Sequence, residues 1–202
     1  MKVEIWSDVL CPWCYIGKRR FEKALSQFNH RDMVEVVWRS FQLDPNAPLQ
    51  YDGTNTERLM QKYAISREQA ETMQSNVTML AAQEGLEYHM ELTPVTNSFD
   101  AHRLIHFAAQ HGLQDAMKER LLKANFTEGL LISDKDTLVQ LADEVGLDVI
   151  ATGHMLTSDD YAEAVRGDQY QAAEYGIRGV PFFLFDEKYG VSGAQSTAVF
   201  TV

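Results

Sequence analysis

The sequence predicts a mixed α/β fold in which a long helical insertion divides one β-sheet. Three observations support this prediction: a strand–helix–strand pattern near the start, helical segments with serine starts and glycine stops over about residues 56–175, and two short strands near the end. With 202 residues, 45% of them hydrophobic, the chain can bury a substantial core. Neither half of the sheet could cover its own faces, so we expect one shared core.

The N-terminal pattern predicts a βαβ unit. A strand is expected over residues 2–7, a helix over about 15–28 and a second strand over about 34–41. Two strands that are joined through a helix form a parallel pair. Alternation in the second strand predicts that Trp38 and Arg39 lie on opposite faces of the sheet.

Helix starts and stops punctuate the middle of the chain. Ser66 and Gln69 have the spacing of a capping box, which predicts a helix that ends near Gly85. Ser133 is expected to cap a helix over residues 134–145. Further helices are expected over residues 99–110, 113–126 and 158–175.

The end of the chain returns to strand patterns. Segments 181–185 and 189–192 flank a short polar turn and predict a hairpin. The expected division is a discontinuous sheet-containing domain over residues 1–50 and 176–202, and a helical insertion over residues 51–175. We expect the last inserted helix, about residues 158–175, to pack on the sheet.

Charge and hydropathy exclude two classes of partner. The formal net charge is −11, and such a surface repels phosphate backbones, so we expect no nucleic-acid partner. No apolar run reaches the ~18–20 residues of a membrane helix, so no membrane partner is expected. The first residues enter a strand directly and have no signal-peptide pattern, which favours a cytoplasmic location.

The only two cysteines of the chain, Cys11 and Cys14, stand two residues apart at a predicted helix start. Unpaired N–H groups and the helix dipole stabilise a thiolate there, and a thiolate is the species that attacks disulfides. Cys11 is the predicted nucleophile, with a lowered pKa, and Cys14 is the predicted resolving thiol one turn into the helix. Pro12 removes one N–H donor, while Trp13 is expected either to bind apolar substrate surface or simply to pack.

A metal site is the competing interpretation of this cysteine pair. Zinc requires four ligands, and the only other closely spaced candidates are His102 and His106. We therefore expect no metal and no bound cofactor.

Four strings identify a family resemblance. They are WSDVLCPWCYIG over residues 6–17, NSFDAHR over 97–103, GVPFF over 179–183 and VSGAQ over 191–195. With them the chain resembles the DsbA type of thiol–disulfide oxidoreductase, and in particular its FrnE-like branch. The resemblance spans nearly the whole chain and implies a thioredoxin fold with a large helical insertion. The family closes with a helix, for which only residues 196–202 remain here, about two turns.

The resemblance also implies site residues. The bond between Val180 and Pro181 is expected to be cis and to lie beside the cysteines, with the Val180 backbone pairing with an extended substrate. Glu4 is expected either to shuttle the proton of Cys14 or to face water. Residues Asn97, Phe99, His102 and Arg103 are candidate cleft residues, with helix capping by Asn97 or Ser98 as the alternative.

Three functions are consistent with these residues. The first is a thiol–disulfide oxidoreductase or isomerase that acts on a disulfide- or thiol-containing protein or small molecule, with glutathione as a candidate co-substrate. The second is a glutathione-dependent transferase or isomerase of the kappa-class or 2-hydroxychromene-2-carboxylate isomerase type, against which the retained Cys14 argues. The third is a chaperone-like binding module. A homodimer is also expected.

Overall fold

The computed structural model describes residues 1–200, which fold as a mixed α/β protein with a thioredoxin-type sheet, as predicted. The four strands of this region have the order β2-β1-β3-β4. Strand β1 is parallel to β2 and antiparallel to β3, and β3 is antiparallel to β4. The strands are β1 (Lys2–Ser7), β2 (Glu35–Ser40), β3 (Phe182–Phe185) and β4 (Tyr189–Ser192).

Helices fill the long segment between β2 and β3, one helix connects β1 with β2, and one follows β4. They are α1 (Pro12–Ser26), α2 (Asn55–Tyr63), α3 (Arg67–Gln83), α4 (Phe99–Ala109), α5 (Gln114–Phe126), α6 (Lys135–Glu144), α7 (Val149–Thr157), α8 (Ala162–Glu174) and α9 (Thr197–Phe200). Within residues 1–200, none of them has the length and apolar character needed to cross a membrane. The predicted closing segment extends to residues 201 and 202, which lie outside the described part.

Two helices were not expected as separate elements. Helix α2 has a capping box between Thr54 and Glu57, and helix α7 is capped by Asp148, whose side chain accepts the Ala151 N–H at 2.7 Å. Both caps could be found in the sequence, but each helix has only nine residues, of which α2 buries none and α7 exposes more than half. Nine residues are too short a window for apolar periodicity to identify a helix by itself.

Three predicted helix starts were misplaced. Helix α1 begins at Pro12, three residues earlier than expected, because Cys11 is extended and the ring of proline suits the first helical position. Asp134 rather than Ser133 caps α6, and the Ser133 hydroxyl instead donates to the Leu49 carbonyl. Helix α8 follows Tyr161, which has a left-handed backbone with φ of 63°.

One face of the sheet shares its core with the inserted helices. Val3 and Ile5 of β1 pack in one buried cluster with Phe21 of α1, Leu104 of α4 and Leu121 of α5. Helix α1 and part of the insertion therefore cover the same face, which joins sheet and insertion into one packed body.

Helix α8 packs against the opposite face of the sheet. The indole Nε1 of Trp6 donates to the Asp168 carbonyl oxygen at 2.9 Å. The Asp168 carboxylate accepts the Ser40 N–H at 2.8 Å and pairs with Arg39 at 3.1 Å and with His106 at 3.0 Å. Asp168 is almost fully buried, so these contacts replace the water that it loses.

Replacing Asp168 with alanine is expected to lower the free energy of unfolding by about 3 kcal/mol, because it leaves the Ser40 N–H and Nη1 of Arg39 without their acceptor. Urea unfolding measures this change. Glu163→Ala on the same helix removes an exposed i,i+3 ion pair and is the matched control, with an expected change under about 0.5 kcal/mol. Equal losses in the two variants would contradict the role given to Asp168.

Candidate active site

The two thiols lie at the start of α1, at the end of the sheet where β1 finishes. Cys11 is the N-cap residue and Pro12 the first helical residue, and the Cys14 N–H donates to the Cys11 carbonyl at 3.0 Å. Both cysteines are free thiols, and they are only 3% and 1% exposed. Trp13 between them is 42% exposed. The site is therefore a buried dithiol with an aromatic side chain at its rim.

The loop before β3 meets this dithiol. The peptide bond between Val180 and Pro181 is cis, and the Val180 carbonyl oxygen lies 3.5 Å from the Cys11 sulfur, which donates to it. Gly17 makes the close approach possible, because a Cβ at this position would lie 2.8 Å from Cγ of Pro181. The structure thus brings Cys11, Gly17 and the proline loop together.

The two sulfurs titrate as a pair. The hydrogen bond between them, reinforced by burial, raises the pKa of Cys11 well above its usual range. Burial also opposes ionisation of Cys14, but the hydrogen bond from Cys11, the charge of Lys118 and the Ser7 hydroxyl together lower the pKa of Cys14. The raised pKa of Cys11 differs from the expectation of a lowered one, because the stabilising positive charge of Lys118 lies on the Cys14 side of the pair.

Lys118 reaches the site from α5 and was not identified from the sequence. Its side chain is 1% exposed, its Nζ donates to the Ser7 carbonyl at 3.2 Å, and the ammonium lies 5.5 Å from the ring centroid of Trp38. Burial lowers the pKa of Lys118 to about 8, although the negative charges of Cys14 and Asp8 act to raise it. A lysine within the apolar face of α5 was the sequence signal that could have revealed it.

Asp8 and His102 form a second buried pair beneath the cysteines. The His102 Nε2 lies 3.3 Å from the Asp8 carboxylate, which also accepts the N–H groups of Leu10 and Leu43. Burial opposes ionisation of Asp8, but these hydrogen bonds lower its pKa, while burial lowers the pKa of His102. A neutral imidazole thus donates to an ionised carboxylate, and this pair ties the cysteine loop to the segment after β2. His106 faces a different carboxylate, Asp168.

Aromatic residues of the insertion support the first turn of α1. The Tyr88 hydroxyl donates to the Pro12 carbonyl at 2.7 Å. Its ring stacks on Phe126 at 4.9 Å and on Tyr15 at 6.1 Å between centroids. Tyr88 comes from an irregular segment with no pattern that pointed to the cysteines.

A cleft of about 440 Å³ opens between the cysteine motif and helices α2 and α3. Cys11 lies in its wall and Arg58 and Lys62 bring positive charge, of which Arg58 is paired with Asp44. The rest of the wall is mostly apolar and includes Leu10, Trp13, Leu59, Tyr63, Met73, Val77 and Phe126. The arrangement can bind an apolar group of a substrate next to the Cys11 sulfur.

The pattern of the DSBA-like thioredoxin domain matches residues 2–201. The chain belongs to this family. It is similar to a probable DsbA oxidoreductase from Streptomyces coelicolor, with 45% identity, a TM-score of 0.95 and coverage of 100% of this chain and 87% of that one.

Two solved structures of lower identity share the fold. A 2-hydroxychromene-2-carboxylate isomerase has 16% identity and a TM-score of 0.72, over 96% of this chain and 89% of that one. The cytosolic disulfide reductase DsbM from Pseudomonas aeruginosa has 16% identity and a TM-score of 0.67, over 95% and 89%, and one of its structures contains GSH.

Glu4 of this DsbA-like chain neither lies beside Cys14 nor faces water, the two positions expected for it. Its carboxylate is almost fully buried and pairs with Arg39, and with Lys2 at 3.2 Å. Strand alternation turns Glu4 toward the α8 face, whereas Ile5 and Ser7 face α1 and the cysteines. Glu4 is therefore an ion-pair residue of the other face, neither exposed to water nor beside Cys14.

Three of the candidate cleft residues lie elsewhere. Asn97 donates to the Ala47 carbonyl at 2.8 Å and accepts the Phe99 N–H, which supports the capping alternative, while the Ser98 side chain makes no cap hydrogen bond. Phe99 lies under the Arg166 guanidinium in a separate pocket. Arg103 is buried and donates to carbonyl oxygens at the end of α7 and before α8. Only His102, through Asp8, connects to the dithiol.

Gly17→Ala is expected to destabilise the protein by about 1–3 kcal/mol and to slow disulfide exchange, because the new methyl group overlaps the Pro181 ring. Urea unfolding and insulin reduction measure the two effects. Gly167→Ala in α8 meets no heavy atom within 4 Å and is the control, expected to stabilise by about 0.5–1 kcal/mol. A Gly17 variant as stable and as active as Gly167→Ala would disprove the close-packing argument.

Proposed function

We propose that this DsbA-like chain exchanges disulfides through Cys11 and Cys14, with Cys11 as the attacking sulfur and Cys14 as the resolving sulfur. The observation that carries the proposal is the dithiol itself: Cys11 is in the wall of the cleft, against the Val180 carbonyl, and Cys14 lies one turn deeper. A substrate that enters the cleft meets the Cys11 sulfur first.

The hydrogen bond between the two sulfurs reconciles this assignment with the raised pKa of Cys11. The two sulfurs are joined by a hydrogen bond, so the proton can pass from Cys11 to Cys14 without a change in the charge of the pair. The Cys11 thiolate formed in this way attacks one sulfur of a substrate disulfide. A bond forms between Cys11 and that sulfur, and the other substrate sulfur leaves as a thiolate and is protonated.

The second step releases the substrate. Cys14 loses its proton and attacks the Cys11 sulfur, the mixed disulfide breaks, and the remaining substrate sulfur leaves as a thiol. The substrate disulfide has then been reduced to two thiols and the dithiol has been oxidised to the Cys11–Cys14 disulfide. The same steps in reverse oxidise a dithiol substrate.

The proposed substrates are disulfides that are flanked by apolar side chains, in a protein or a small molecule. The cleft wall is mostly apolar, and Trp13, Tyr63 and Met73 expose large side chains in it. Burying such surface against a substrate contributes about 25 cal/mol per Å² before the costs of association. Pro12 contributes no N–H at the rim, and the Val180 backbone is the proposed partner for an extended substrate segment.

Several finer assignments are part of the same proposal. The four sequence strings favour the FrnE-like branch, and the similarity to the cytosolic disulfide reductase DsbM favours the cytoplasm, where a disulfide needs a recycling partner. Glutathione is the proposed co-substrate for recycling; the distant relative DsbM is a cytosolic disulfide reductase with a GSH-containing structure. Isomerase activity and a homodimer stay predictions.

Cys11→Ser is expected to abolish insulin reduction, because no thiol is left at the cleft wall. Cys14→Ser is expected to attack but not to resolve, so it accumulates a mixed disulfide with one glutathionyl group after exposure to oxidised glutathione. Mass spectrometry of the intact protein detects this adduct, and the doubly substituted protein is the control.

Other outcomes would favour the alternatives. Glutathione-dependent transferase or isomerase turnover that survives Cys14→Ser would favour the glutathione-dependent class. Aggregation suppression that is unchanged in the doubly substituted protein, without any exchange activity in the natural one, would favour the chaperone-like module.

Tyr63→Ala is expected to raise the KM for insulin about fivefold, since a hot-spot contact in the cleft contributes about 1 kcal/mol. Turnover of cystamine, a small disulfide without apolar side chains, should change by less than about twofold. Tyr170→Ala removes an exposed tyrosine of α8 outside the cleft and is the matched control. The cleft assignment fails if Tyr63→Ala and Tyr170→Ala have the same KM for insulin.

A further inference from the structure

Lys118 is a buried cation that lacks a carboxylate partner. Within residues 1–200 it forms no ion pair, and its one hydrogen bond is to the Ser7 carbonyl at 3.2 Å. An isolated buried ammonium is costly unless something nearby compensates its charge. A neighbouring group must therefore supply the negative charge that compensates the Lys118 ammonium.

Lys18 is a buried lysine of the same core whose charge is compensated by carboxylates. It is equally buried and lies 5.8 Å from the Trp38 ring centroid, but it pairs with Glu22, with Asp115 at 3.3 Å and with Glu119 at 3.1 Å. Lys118 lies 5.5 Å from the same ring centroid.

The charged and titratable groups that act on Lys118 come from three elements. They are Cys11, Cys14 and Lys18 of α1, Asp8 after β1, and His102 of α4. The Asp8 oxygens are already occupied by His102 and by the N–H groups of Leu10 and Leu43. Besides Asp8, the thiolate of the dithiol is the other negative charge that acts on Lys118.

We propose that Lys118 is the charge-compensating residue of the redox site: its ammonium stabilises the thiolate of the reduced Cys11–Cys14 pair and loses that partner when the disulfide forms. The inference rests on the proposed disulfide exchange. With oxidised glutathione as the oxidant, a thiolate and a thiol of the pair become one disulfide, and glutathione leaves as one thiolate and one thiol. The negative charge thus moves from the buried site to glutathione, while the positive charge of Lys118 stays behind.

The direction of the effect follows from this balance. A group that stabilises the reduced form shifts the equilibrium toward the dithiol and makes the disulfide a stronger oxidant. Burial alone would have lowered the proton affinity of Lys118, and the negative charges of Cys14, Asp8 and Cys11 offset part of that loss. Lys118 acts on the position of the redox equilibrium, which an unpaired lysine with a purely structural role would not.

The test compares Lys118→Met with Lys18→Met in the full chain. Thiolate absorbance is followed against pH, and the dithiol–disulfide equilibrium is measured against defined mixtures of reduced and oxidised glutathione. For Lys118→Met we expect the thiolate midpoint to rise by at least about one pH unit, and the equilibrium to shift at least about tenfold toward the disulfide, which is 29.6 mV. Lys18→Met is expected to change neither quantity, because Lys18 is compensated by carboxylates.

Stability measurements give an independent readout. The same thermodynamic cycle requires that Lys118→Met stabilise the oxidised protein relative to the reduced one, by the same factor as the shift in equilibrium. If Lys118→Met does not fold, Lys118→Gln takes its place in every measurement. An unchanged midpoint and equilibrium in the folded variant, or equal shifts in the Lys18 variant, would overturn the inference. The proposed function would fail separately, if the natural dithiol did not exchange with glutathione at all.

Discussion

The pairing of β1 with β3 is the constraint on which the site depends. In its antiparallel register Ile5 lies opposite Phe183 and Trp6 opposite Phe182. The chain leaves β1 toward the cysteines at the same end of the sheet where it enters β3 from Pro181. A shift of this register by one residue would turn the apolar side chains of β1 to the wrong face and carry the proline loop away from Cys11. Cys11 and Val180, about 170 positions apart, lie in contact because β1 and β3 pair in a single register.

The helical insertion does more than cover the sheet. Helix α4 contributes His102 to the Asp8 pair, and α5 contributes Lys118 beneath the cysteines. Tyr88 lies in the segment between α3 and α4, and its hydroxyl donates a hydrogen bond to the first turn of α1. The thioredoxin-type sheet therefore supplies the sulfurs and the proline loop, while the insertion supplies the charges that surround them. Related folds with different insertions can surround the same motif with different charges.

Burial makes this site sensitive to a single charge. Both sulfurs are nearly inaccessible, so the pair cannot rely on water to stabilise a thiolate, and each neighbouring group counts for more than it would at the surface. Asp8 opposes the negative charge on the sulfurs and Lys118 favours it. The balance between these two groups bears on the oxidising strength of the dithiol, a property that the cysteine motif alone does not specify.

The succession of strands along the chain, most helix C-termini, the cysteine pair at a helix start and the distant proline can all be predicted from the residues alone. These features depend on local periodicity, capping and turn chemistry, which are written in neighbouring residues, and the family strings added the cis bond at Val180–Pro181. Short helices such as α7 were not predicted from the sequence, because few of their residues are buried. The contacts of Glu4 with Arg39, of Arg103 with the carbonyl oxygens at helix ends and of Lys118 with the thiols could not be predicted in this way. Which charge meets which partner depends on strand alternation and helix packing across the whole core, and no local spacing encodes it.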